Sequence, residues 1–75
     1  MEKQITVIGK RESVNLATVE EQANGCVVAS VEDEHVTHAQ FRKALKREYP
    51  RHTFYAHHEH GYIIAQADPA HEVVL

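Results

Sequence analysis

The sequence predicts a small α+β domain, an antiparallel sheet with one amphipathic helix packed across one face, in the order βββαββ. Three observations lead to this prediction. Residues 14–32 hold two β-branched runs that flank an Asn-Gly pair, residues 37–49 show helical periodicity, and residues 52–67 hold a second pair of aromatic and β-branched runs. A chain of 75 residues has room for one hydrophobic core, so residues 1–75 are expected to form a single domain.

The first three elements are strands. Residues 3–9 predict the first, because β-branched residues dominate the segment and a glycine closes it. Residues 14–21 and 26–32 predict two paired strands, because Asn24 and Gly25 between them both tolerate the positive φ of a tight hairpin turn. The N-terminal half of the domain is therefore expected to be a three-stranded antiparallel unit.

The helix at residues 37–49 has the clearest boundaries. Thr37 can cap its start and Gln40 can complete a capping box, while Val36 can pack against Phe41 as a hydrophobic staple. Pro50 ends the helix. One helix face is apolar and the opposite face is basic, formed by Arg42, Lys43, Lys46 and Arg47. We therefore expect the helix to lie on the sheet with its cations outward.

The C-terminal part predicts a second hairpin. Residues 52–58 and 62–67 have strand composition, and Gly61 lies between them where a turn is needed. Asp68 and the proline after it interrupt the last strand. Residues 72–75 are a candidate for a short additional edge strand, the alternative being a disordered tail.

The single cysteine, Cys26, excludes an intrachain disulfide and favours a reducing, cytoplasmic location. Its strand context predicts a small buried hydrophobic side chain. Near the N-terminus, the apolar run inside residues 1–10 is too short for a signal-peptide core or a membrane span. We therefore expect no membrane partner.

Eight Lys and Arg against eleven Asp and Glu give a net charge of −3, which disfavours a general nucleic-acid binder. A local basic patch is nevertheless predicted, and it is the candidate partner-binding site: Arg42, Lys43, Lys46, Arg47 and Arg51. It would dock an acidic protein surface. Residues 43–55 also interleave basic and aromatic side chains, so nucleic-acid binding is the alternative. An ordinary solvated helix face, partly neutralised by acidic residues 32–34, is the simplest interpretation.

Seven histidines make the sequence rich in that residue, and full protonation would raise the net charge from −3 to +4. His57, His58 and His60 are the candidate ligands of a transition metal such as Zn, Ni or Cu, with His52 and His71 as further donors. In a strand, however, His57 faces away from His58 and His60. Zinc takes three or four ligands, so an exposed polar hairpin tip that binds no cofactor is the main interpretation.

No motif of nucleophilic or acid–base catalysis is present, and a chain this small has little volume for an enclosed site. The sequence therefore predicts a non-catalytic binding protein that regulates or inhibits a larger protein partner by surface contact. Small proteins of this kind are common in bacteria and in phages or other mobile elements. An edge strand also makes a homodimer a candidate assembly.

Overall fold

The computed structural model describes residues 1–68, which contain five strands and one α-helix. Their bounds are β1 (Glu2–Ile8), β2 (Val14–Glu21), β3 (Val27–Glu32), α1 (His38–Glu48), β4 (Tyr55–Glu59) and β5 (Tyr62–Ala67). A short 3-10 turn at Lys10–Glu12 joins β1 to β2. The predicted α+β class and the order βββαββ are confirmed. The additional strand considered at residues 72–75 lies outside the described residues.

All strand pairs are antiparallel, and the order across the sheet is β1-β2-β3-β5-β4. Within residues 1–68, β1 and β4 are therefore the two outer strands. The chain leaves β3, forms α1 over one face, and returns to the far side of β5 as β4. This crossover places the helix on one face of the sheet and leaves the other uncovered within residues 1–68.

One face of the sheet is buried under α1. Alternate residues of each strand point to this face, so that Val7, Val19 and Ile63 are fully buried while their sequence neighbours are not. From the helix, Phe41 and Leu45 are fully buried against them. No described residue covers the other face, which we call the open face. Every buried side chain among residues 1–68 is hydrophobic.

The helix begins as the sequence predicts. The Thr37 hydroxyl accepts a hydrogen bond from the Gln40 N–H at 3.2 Å, and the Gln40 side-chain oxygen accepts one from the Thr37 N–H at 3.0 Å. Both bonds of a capping box are therefore present. At the other end the helix stops at Glu48, and Tyr49 caps it just before Pro50.

The tight turn predicted at Asn24-Gly25 is not formed there. The link between β2 and β3 is a five-residue loop in which Gly25 has a φ of 89° and Asn24 accepts a hydrogen bond from the Cys26 N–H at 3.0 Å. The turn with two positive φ angles lies instead between β4 and β5, at His60 (49°) and Gly61 (82°). The prediction that Gly61 occupies a turn is confirmed.

The prediction that the Cys26 side chain is buried is wrong. Cys26 precedes β3 and belongs to the loop, so its side chain is half-buried at the rim of the sheet. Its Sγ lies 3.7 Å from Asp68 Oδ1, at the end of β5. The alternation of a strand does not extend to this position, which is why the thiol is not drawn into the core.

Gly9 ends β1 for a reason that the sequence does not reveal. A Cβ at this position would lie 2.1 Å from the carbonyl oxygen of His35, which accepts a hydrogen bond from the Lys10 N–H at 2.6 Å. Only glycine permits this close approach of the loop that precedes α1. Arg11 and Glu12 then turn the chain with φ angles of 56° and 60°.

Candidate functional site

The outward side of the helix carries the predicted basic patch. The side chains of Phe41, Ala44 and Leu45 point into the core, which turns the cations toward solvent. All five predicted residues are exposed, and we call them the basic helix surface: Arg42, Lys43, Lys46, Arg47 and Arg51. The structure therefore brings four of the five residues together on the outward side of the helix, and Arg51 follows two residues after Tyr49, which caps it.

The basic helix surface is not neutralised by ion pairs. Within residues 1–68, every salt bridge involves either Lys3 or a histidine. The acidic residues before the helix contact histidines and not these cations. Asp33 Oδ2 lies 3.8 Å from His58 Nε2, and Glu34 Oε1 lies 3.9 Å from His35 Nε2. The partial neutralisation expected from this acidic stretch does not take the form of ion pairs, so the cations are free to meet an external anion.

Two open grooves run along the helix, one on each side. The first, of about 390 Å³, lies between the helix and the segment that leads to β4, and its lining includes Arg42, Lys46 and His52. The second, of about 440 Å³, lies between the helix and the end of β1, and its lining includes Ile8, Lys43 and Arg47. Each groove therefore combines an apolar floor with a cationic rim.

The open face of the sheet carries the opposite charge. Four glutamates occupy its alternate positions on four different strands: Glu2, Glu20, Glu32 and Glu59. Tyr55 and Tyr62 also lie there, 73% and 44% exposed. The alternation of side chains along each strand indicates this acidic face from the sequence alone, but the face was not predicted. Four glutamates thus lie on the side of the sheet opposite the basic helix surface, although Glu21 and Glu48 lie on the helix side.

A network of three side chains holds the C-terminal end of the helix to the sheet. The Tyr49 hydroxyl donates a hydrogen bond to Glu21 Oε1, and Lys3 Nζ lies 3.3 Å from the same oxygen and 5.0 Å from the centre of the Tyr49 ring. The hydrogen bond from Tyr49, and secondly the one from Lys3, lower the pKa of Glu21. The interaction of the Lys3 ammonium with the Tyr49 hydroxyl, and secondly with the Glu21 carboxylate, raises the pKa of Lys3.

The three candidate metal ligands lie in three different settings. His57 points to the open face, where its Nε2 is 3.1 Å from Glu59 Oε2. His58 points to the opposite side of the sheet, and His60 lies in the turn with a positive φ. Among residues 1–68, no three His, Cys, Asp or Glu side chains are grouped so that they could hold a metal ion. His71 lies outside the described residues.

His58 instead contacts the helix. Its ring stacks on that of His38, with centroids 4.3 Å apart and planes within 13° of parallel. His38 Nε2 is buried and has no hydrogen-bond partner among the described residues. No local pattern predicts this pair, because the two residues are twenty positions apart and meet only through the crossover. The stack fixes the start of α1 against β4.

In the part of the chain that the structure describes, no helix has the length and apolar character needed to cross a membrane. Comparison of the chain with family models, curated proteins and solved structures finds no match.

Proposed function

We propose that this protein is a non-catalytic binding module that docks onto the acidic surface of a larger protein and thereby regulates or inhibits it. The observation that carries the proposal is the basic helix surface, five exposed cations without an ion-pair partner among residues 1–68. Opposite charge across an interface favours both the encounter and the correct orientation of two proteins. The glutamates of the open face disfavour binding of the same anionic partner from the other side.

The position of the aromatic residues favours a protein over a nucleic acid. Single-stranded nucleic acids bind where cations and exposed aromatic rings share one groove, because the bases stack on the rings. Here Phe54 is buried and Tyr49 is bonded to Glu21, while the exposed Tyr55 pairs with Gln66 at the end of the sheet. The interleaving of basic and aromatic residues in the sequence therefore places two partly accessible rings, His52 and Tyr55, beside Arg42, while the rings of Phe54 and Tyr49 are buried or bonded elsewhere.

The openness of the grooves beside the helix supports a non-catalytic role. Catalytic acids and bases usually lie in clefts that shield them from water and perturb their pKa values. In residues 1–68 the buried polar atom without a hydrogen-bond partner is His38 Nε2, whose ring stacks on His58, and both grooves beside the helix are open to solvent. Such a surface suits recognition of a partner by contact.

The test is affinity capture from a nuclease-treated lysate of the organism that encodes the protein. The double variant Arg42→Glu/Lys46→Glu reverses two cations of the basic helix surface. Its matched control, Lys10→Glu/Arg11→Glu, makes the same charge change at exposed positions outside this surface. We expect the wild-type protein and the control to capture the same protein, and the helix variant to lose it.

A parallel capture from an untreated lysate separates the alternatives, whereas salt tests the charge dependence that they share. Capture of a protein partner should weaken when the salt concentration rises from about 50 to about 300 mM, because salt screens exposed charges. If nuclease treatment abolishes the capture, the basic helix surface binds nucleic acid and not a protein. Equal capture by the helix variant and the wild-type protein would overturn the proposal.

A further inference from the structure

The outer edge of β1 presents unpaired backbone groups. Met1 exchanges backbone hydrogen bonds with Glu21, and the Gly9 N–H donates to the Ser13 carbonyl, so odd-numbered residues of β1 direct their backbone groups toward β2. Because this direction alternates along an antiparallel strand, the N–H and C=O groups of the even-numbered residues point away from the sheet. Those residues are Glu2, Gln4, Thr6 and Ile8.

This edge lacks the features that usually protect an outer strand. Charged residues, proline, bulges and short length are the common protections. β1 pairs with β2 without interruption over seven residues, and residues 4–8 contain neither a charge nor a proline. The other outer strand, β4, has five residues and ends in His57-His58-Glu59. Of the two described edges, β1 is the one suited to receive a further strand.

The helix runs beside this edge and lines it with cations. Gln40 borders the groove at the Ile8 end of β1, and Glu48 lies 4.0 Å from Lys3 near the other end. Between these points, Lys43 and Arg47 form the rim of the 440 Å³ groove. A strand added to β1 would therefore place alternate side chains next to two exposed cations.

The open-face side of the same edge is apolar at one end. Ile8, Val14 and Leu16 are 48%, 70% and 60% exposed, and Ile8 lies directly opposite Val14 in the strand register. The other set of alternate side chains of an added strand would lie beside Ile8, with Val14 and Leu16 one strand further in on β2. The two sides of the edge thus favour an incoming segment in which acidic and apolar residues alternate.

From these features we infer that the protein binds an extended acidic segment of its partner as an additional strand antiparallel or parallel to β1, with carboxylates facing Lys43 and Arg47. This inference rests on the proposed function and specifies its binding mode. A second copy of the chain is a poorer occupant, because pairing β1 with β1 would bring the cations of two helices toward each other.

The test uses two synthetic peptides of about eight residues, the length of an ordinary strand. One alternates Glu with Val and the other alternates Lys with Val. We expect the Glu peptide alone to bind and to slow the amide hydrogen exchange of Gln4, Thr6 and Ile8, measured by NMR, by about tenfold or more. Exchange at Ile5 and Val7, already bonded to β2, should change little.

Thr6→Pro removes an outward N–H and leaves the bonds to β2 in place, since proline is tolerated on the free side of an edge strand. It should weaken binding of the Glu peptide about tenfold or more, whereas Thr6→Ala should retain it, because each hydrogen bond lost is worth roughly that factor. Lys43→Glu/Arg47→Glu, which changes only exposed side chains, should reverse the preference toward the Lys peptide.

Four outcomes would overturn strand addition: no binding of the Glu peptide, equal binding of both peptides, unchanged binding by Thr6→Pro, or amides at the β1 edge that are protected already in the free protein. The last would mean that a second copy or residues after 68 cover the edge, and sedimentation velocity separates these two. If Thr6→Pro still captures the lysate partner and Arg42→Glu/Lys46→Glu does not, the proposed function stands without strand addition.

Discussion

The Tyr49 hydroxyl donates a 2.5 Å hydrogen bond to Glu21 Oε1, and this bond joins the C-terminal end of α1 to the last residue of β2. Glu21 accepts from Lys3 through the same oxygen. The helix is therefore fastened at both ends, by this network at its C-terminus and by the stacking of His38 on His58 at its start. The basic helix surface lies between these two attachments.

Acid should weaken the fold through Glu21. Its pKa is lowered, first by the hydrogen bond from Tyr49 and then by Lys3, so its stabilising contribution is present above the ordinary carboxyl pKa and is lost as pH falls through the lowered value. Tyr49→Phe removes the larger cause. We expect this variant to be less stable at pH 7 and to lose less stability than the wild-type protein between about pH 5 and pH 2. Urea denaturation followed by circular dichroism measures both effects.

Tyr55→Phe is the control, because Tyr55 is 73% exposed and makes no hydrogen bond through its hydroxyl among the described residues. It should reproduce the wild-type pH dependence. Parallel acid curves for the wild-type protein and Tyr49→Phe would contradict the role of the Tyr49–Glu21 bond.

Removing the helix cap should destabilise the protein by a modest amount. Thr37→Ala deletes the side-chain oxygen that accepts from the Gln40 N–H, and loss of such a cap costs about 1 kcal/mol. The free energy of unfolding from urea titration measures the change. Thr53→Ala, at an exposed position outside the helix, should cost less than half as much; equal effects of the two substitutions would argue against the capping box.

Gly9 and Gly61 should differ in their response to alanine. At Gly9 the new Cβ would meet the His35 carbonyl at 2.1 Å, so the loop before α1 has to move. At Gly61 the space is open, and the cost is the positive φ of 82°, about 1 kcal/mol. We therefore expect Gly9→Ala to lower the free energy of unfolding more than Gly61→Ala. The reverse order, measured by urea titration, would contradict the tight contact with His35.

A chelator should leave thermal stability unchanged. His57 and His58 point to opposite sides of β4, and His60 lies in the following turn, so these three side chains do not converge on one ion. The midpoint of thermal unfolding, followed by circular dichroism with and without EDTA, checks this expectation. A midpoint that falls with EDTA and is restored by Zn²⁺ would instead establish a metal held by histidines.

Local signals predicted the helix and most strand positions. Thr37, Gln40 and Pro50 act within a few residues of one another, so their effect can be read without knowing the fold. The turn types could not be assigned this way: His60 adopts a positive φ because the register of β4 with β5 requires it, while Asn24 lies in a longer loop that does not. The register of each hairpin decided its turn type.

The candidate site was predicted in part. The cations of α1 follow from helical periodicity, because the apolar residues define the buried side. The grooves beside them depend on which strand lies next to the helix, and the close approach of Gly9 to His35 depends on the crossover. The exposed edge of β1 likewise follows from strand order, which no local pattern specifies.

The segregation of charge gives this small protein an electric dipole despite its net charge of −3. Cations on the helix side and glutamates on the open face form its two poles. An anionic partner therefore exerts a torque on the molecule before contact and turns it helix first, although the two proteins carry net charge of the same sign. The distribution of charge, and not its sum, thus sets the orientation of approach.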